Sequence, residues 1–144
     1  MISRTFNSFY KDVPEEQQKW FLDFHKNRPY STVLFQGRKL KYLSSGDGIK
    51  TLVFLHRALV RPDMWFYPIF ELEKKFRIIA PLFVPQMMGA QEAADFIRSI
   101  LKQENISKAT FIGHSYGGGV AQYFAKKYPD LLDKLVLSHT GLAG

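Results

Sequence analysis

Residues 108–129 read KATFIGHSYGGGVAQYFAKKYP, a short β-prone run, a glycine-rich turn and an amphipathic helix in immediate succession. The turn contains G-x-S-x-G as Gly113-His114-Ser115-Tyr116-Gly117. A serine on a sharp strand-to-helix turn is forced into a strained backbone conformation, and small residues two positions to either side let strand and helix cross closely. The turn lifts the hydroxyl clear of the sheet at the positive end of the following helix. There the Tyr116 N–H and the helix dipole face any oxyanion that develops. Ser115 is therefore the candidate nucleophile, with Gly113, His114 and Gly117 forming the elbow around it.

Two other glycine-loop readings fail letter by letter. A dinucleotide fingerprint needs glycine at its first, third and sixth positions; the run from Gly113 has Ser115 and Gly118 there, and the run from Gly117 ends on Gln122. A phosphate-binding loop needs Lys and then Ser or Thr after its second glycine, whereas Gly118 is followed by Gly119 and Val120.

Outward from the turn, strand and helix signals alternate. TLVFLH at 51–56 is a continuous apolar run suited to a strand buried on both faces, and RPDMWFYPIFELEKKF after it has helical spacing. FRIIAPLF at 76–83 predicts a second such strand, GAQEAADFIRSILKQEN a helix, and DKLVLSH a last strand. This alternation predicts right-handed crossovers and a mostly parallel sheet with flanking helices. Upstream, STVLFQGRKLKYLSSGDG predicts a hairpin around Gln36-Gly37-Arg38. PEEQQKWFLDFHKN at 14–27 predicts a short amphipathic leading helix presenting Trp20, Phe21 and Phe24. The expected organisation is an N-terminal helical extension over 1–29 and an α/β domain over 30–144.

LVFLHRALVRPDMW, IIAPLF, FIGHSYGGGVAQYFAKKYPDLLDKLVLSHTG and their order resemble the α/β-hydrolase superfamily, and within it small-molecule serine hydrolases and maspardin-like members. The resemblance runs from about residue 30 to the end and implies the first six strands of that fold. It implies a hydrolase acting on an ester, thioester, amide or related bond through Ser115. It also implies an oxyanion hole made by the N–H groups of Tyr116 and Ala58, since the family carries a His-Gly pair after its third strand and uses the N–H just beyond. Here the pair is His56-Arg57. If that turn requires positive φ, a β-carbon at Arg57 costs roughly 1 kcal/mol or more; alternatively the loop tolerates Arg57 and points it to solvent.

In this fold the triad order is Ser, then Asp or Glu, then His. After Ser115 the acids are Asp130 and Asp133 and the base is His139. Both aspartates stand before or at the very start of the last strand signal and so belong at the far sheet edge, on the order of 15 Å from Ser115. His139 belongs at the near edge, without a partner to fix its tautomer. The resemblance implies a lid, two more strands and a triad acid and base beyond these residues, so the chain reads as truncated after the sixth strand and inactive alone. His56, Arg57 and His139 are expected to line the site, His56 hydrogen-bonding locally and His114 packing under the elbow. A non-catalytic binding or adaptor protein of the same fold is the rival reading, and a non-functional fragment a third.

Composition narrows the partners. The 144 residues are 46% hydrophobic, 15% aromatic and 23% charged, a globular balance. The formal net charge is +7, but the basic residues are scattered in pairs such as Arg38-Lys39 and Lys126-Lys127, and no nucleic-acid partner is expected. With no cysteine, thiolate metal sites and a cysteine nucleophile are excluded. No run is long enough to span a bilayer. The expectation is a cytoplasmic protein with a small-molecule substrate, no metal, no cofactor, and a tendency to self-associate through its exposed last strand.

Overall fold

The computed structural model describes residues 10–84 and 89–142. Helix α1 (Glu15–Asn27) leads into the hairpin β1 (Tyr30–Phe35) and β2 (Arg38–Ser45), followed by β3 (Thr51–Leu55), a 3-10 turn (Pro62–Trp65) and α2 (Phe66–Leu72). Then come β4 (Arg77–Pro81), α3 (Ala90–Gln103), β5 (Ala109–His114), α4 (Tyr116–Lys127), a second 3-10 turn (Pro129–Leu131) and β6 (Leu132–Ser138). The six strands form one sheet in the order β1-β2-β4-β3-β5-β6. The pairs β3–β4, β3–β5 and β5–β6 are parallel, and β2 runs antiparallel to both β1 and β4.

The hairpin closes on a two-residue turn, Gln36 and Gly37, both at positive φ, so Arg38 is already strand and pairs with Phe35. The helix expected over 61–76 is divided. Pro68 has no N–H to give the carbonyl four residues back, so the helix tolerates it only in the first turn, and the segment before it tightens into the 3-10 turn. The last strand begins one residue earlier than its signal. Asp133 lies inside β6, at an irregularity where Ala109 pairs with Leu132 and Thr110 with Lys134, and Thr110 Oγ1 donates to Asp133 Oδ2 at 3.4 Å.

All five residues of β3 are buried, and their side chains alternate between two cores. Val53 and Leu55 join Phe96, Ile97 and Ile100 of α3 and Val120, Ala121 and Phe124 of α4 on one face. Leu52 and Phe54 join Phe24 of α1 and Ile69 of α2 on the other. The chain leaves β3 toward one layer and β5 toward the other. The crevice where ligands bind in open α/β sheets therefore lies between the C-terminal ends of these two strands.

Candidate active site

Ser115 stands in that crevice. It is exposed, with φ 52 and ψ −119, a combination that costs a residue with a β-carbon on the order of 1–3 kcal/mol. Its N–H donates to the Ser138 carbonyl at 3.1 Å, and its carbonyl accepts from the Gly118 N–H at 2.9 Å and from Thr140 Oγ1 at 2.9 Å. The elbow glycines are needed for packing. A β-carbon at Gly113 would lie 2.6 Å from the Gly117 carbonyl oxygen, and one at Gly117 would lie 2.2 Å from the Leu55 oxygen and 2.7 Å from the His56 oxygen. The first turn of α4 thus rests directly on the exit of β3.

That contact brings the loop after β3 against the elbow. His56 is 1% exposed, and its ring spans two strand exits. Nε2 accepts the Phe83 N–H at 3.1 Å, which puts the proton on Nδ1, and Nδ1 donates to the Arg57 carbonyl at 2.8 Å. Burial pushes its pKa below the usual imidazole value, against the opposing pull of that carbonyl. Both ring nitrogens are used, so His56 holds the loop in place and has no lone pair for a proton from Ser115. Arg57 is not in the left-handed region. The positive φ of this loop falls instead on Leu59, at 61, so the strain expected at the arginine lies two residues further on. Arg57, Ala58 and Leu59 are all exposed.

On the other side of Ser115, His114 and His139 share one partner: Ser138 Oγ is 3.3 Å from His114 Nδ1 and 3.1 Å from His139 Nδ1, with the rings 5.6 Å apart. His114 also meets Trp65 edge-on at 6.4 Å. His139 lies just past β6 at φ 46. The two aspartates are remote, Asp130 in the turn before β6 and Asp133 beside Thr110, about 20 Å of strand away from His139. Sequence reasoning missed Ser138 and Thr140. Neither has a motif of its own, but a β-carbon at Gly118 would lie 2.5 Å from the Thr140 side chain, so Thr140 wedges the elbow in place. Among the described residues no cluster of three or more His, Asp or Glu is disposed to hold a metal.

A family model described as alpha/beta hydrolase fold matches residues 51–143. The chain belongs to that family. It is 29% identical over 120 residues to an uncharacterized protein of Mycobacterium tuberculosis, an alignment covering 78% of this chain and 34% of that protein. Among solved structures it superposes on the epoxide hydrolase CorEH with a TM-score of 0.70 and 28% identity, covering 76% of this chain and 41% of that one. It also superposes on a carboxylesterase from the ammonia-oxidizing thaumarchaeon Nitrososphaera gargenis, with a TM-score of 0.68 and 27% identity over 77% of this chain and 46% of that one. The chain spans about a third of the length of the curated relative and under half of each solved structure. Among the described residues no helix is long and apolar enough to cross a membrane.

Proposed function

We propose that this chain carries the nucleophile and oxyanion donors of a serine hydrolase that cleaves an ester or related acyl bond. The observation that carries the reading is the strained, exposed Ser115 at the crevice between β3 and β5. Ser115 Oγ attacks the acyl carbonyl, and the resulting oxyanion is held by the N–H groups of Tyr116 and Ala58. The leaving group then departs, and water releases the acyl group from the serine. The structural relatives include both epoxide hydrolase and carboxylesterase, and the nucleophile's chemistry favours the second. Serine opening an epoxide would become an ether, with no carbonyl for water to attack, whereas serine opening an ester becomes another ester. A mostly apolar cleft of about 570 Å³, lined by Phe21, Leu59, Val60, Met64 and Phe66 with the paired Arg61 and Asp63, begins at Leu59, the residue after Ala58, and suits an apolar substrate portion.

The reading requires an acid and a base beyond those in these 144 residues, because neither aspartate reaches His139. Alone, the chain is expected to turn over p-nitrophenyl acetate no faster than Ser115→Ala. Imidazole added as an external base tests the nucleophile itself. With it, a fluorophosphonate probe should form an adduct that peptide mass spectrometry maps to Ser115 and that Ser115→Ala lacks. Absence of that adduct at every imidazole concentration would favour a non-catalytic binding or adaptor protein, the second reading, which the arginine at position 57 recommends.

A further inference from the structure

The residue that departs from the family pattern sits beside the nucleophile. Leu55 pairs with Gly113 across β3 and β5. Arg57 and Ser115 are each two residues beyond that pair, where the adjacent parallel strands β3 and β5 leave the sheet at the same end. The close packing of Gly117 on Leu55 and His56 holds the two exits together, and the bond from His56 to the Arg57 carbonyl fixes the arginine backbone. Its side chain is exposed and has no ion pair or hydrogen bond among the described residues.

The acids around the mouth are already engaged. Glu92, whose charge reaches Tyr116, is paired with Arg38. Asp63 lies 3.4 Å from both Arg61 Nε and His25 Nε2. That leaves an unpaired guanidinium, a flat fork of donors matched to carboxylate and phosphate oxygens, at the edge of the proposed oxyanion loop.

We propose that Arg57 selects an acyl substrate bearing an anionic group, carboxylate or phosphate, close to the bond that is cleaved. The inference rests on Ser115 being the nucleophile, and it adds the class of substrate.

The test is binding, which needs no base. Ligand-observed saturation-transfer NMR, which tolerates weak ligands and an associated protein, compares monomethyl succinate and acetyl phosphate with neutral methyl butyrate. At least one anionic probe should bind about tenfold more tightly than the neutral one, as a charge-assisted hydrogen bond implies. The preference should shrink in 1 M salt, where the screening length falls to roughly 3 Å. Which anionic probe is favoured distinguishes carboxylate from phosphate. Arg57→Met should abolish the preference, Arg57→Lys should keep part of it, and Arg98→Met, whose guanidinium lies over the Tyr128 ring, should leave it in place. Equal affinity for charged and neutral probes, binding of none of them, or a preference that survives Arg57→Met would overturn the inference. Loss of fluorophosphonate labelling at Ser115 is a separate result that bears on the hydrolase reading alone.

Discussion

His56 shows how one buried side chain can fix a loop that carries no regular structure. Its replacement by alanine strands the buried Phe83 N–H, which costs about 1–3 kcal/mol, and leaves the space of the buried ring empty. His56→Ala is therefore expected to lower unfolding free energy by about 3 kcal/mol in denaturant titrations. The pH dependence has a definite sign. The folded imidazole takes up a proton less readily than the unfolded one, so the contribution of His56 is complete above the ordinary histidine pKa of about 6.5 and declines as pH falls below it. Stability measured from pH 7.5 down to 5 should drop in the wild type and fall less steeply in His56→Ala. Gly117→Ala addresses the elbow. Its new methyl would overlap the Leu55 carbonyl, and with only backbone to give way it should destabilise by about 2 kcal/mol or more and disturb Ser115 labelling.

Among the elements, α1 has the most distinctive attachment. Trp20 stacks on Tyr67 and Phe70 at 5.8 and 6.3 Å, and Phe21 meets Phe66 edge-on at 5.4 Å, so the aromatic face of α1 is spent on α2. Arg28 clamps the junction. Its Nε donates to Glu73 Oε2 at 2.9 Å and a second nitrogen to Oε1, while its guanidinium lies 5.0 Å from the centre of the Phe24 ring. Burial raises the Glu73 pKa, but the hydrogen bonds from Arg28 and its charge outweigh burial and hold it below the usual glutamate value. The clamp is thus complete above the unfolded glutamate pKa of about 4.3 and is lost as pH falls through the lower folded value. Glu73→Gln should loosen α1 by about 1 kcal/mol at neutral pH. It should also flatten the acid-induced change in Trp20 fluorescence, which a role confined to helix propensity would leave unaltered.

For the molecule as a whole, the two sides of the sheet differ. Both faces of β3 are covered, while β6 is a sheet edge whose Val136 and Leu137 are 49% and 41% exposed. Asp133 and Lys134 place charges at the start of this edge, but Leu135 to Ser138 carry none. An uncharged apolar edge is a template for strand addition. Self-association that rises with concentration is the expected behaviour, visible in light scattering and in binding of an apolar dye. Val136→Lys should suppress both signals if β6 is the contact. A monodisperse wild-type monomer with a sharp melt would show that this edge is not adhesive.

The alternation of strands and helices was legible because buried strands and amphipathic helices differ in hydrophobic period, and the elbow because its glycines bracket a serine at fixed spacing. Divided helical packing at Pro68 and the early start of β6 were less legible, since both depend on which carbonyl finds which partner. Nothing local announced that His56 would bridge to Phe83, that Ser138 would sit between two histidines, or that Thr140 would fill the space beside Gly118. Those contacts join residues far apart in the chain, and only the sheet order brings their strand exits together. The same holds for Arg57. The sequence marks it as a departure from a family pattern, but that it leaves the sheet at the same end as Ser115 follows from the β3–β5 pairing, and that the positive φ falls on Leu59 rather than on Arg57 is visible only in the folded loop. Local spacing determined the elements and the identity of the nucleophile candidate; the tertiary structure decided its neighbours, because proximity at a sheet edge is set by strand pairing rather than by distance along the chain.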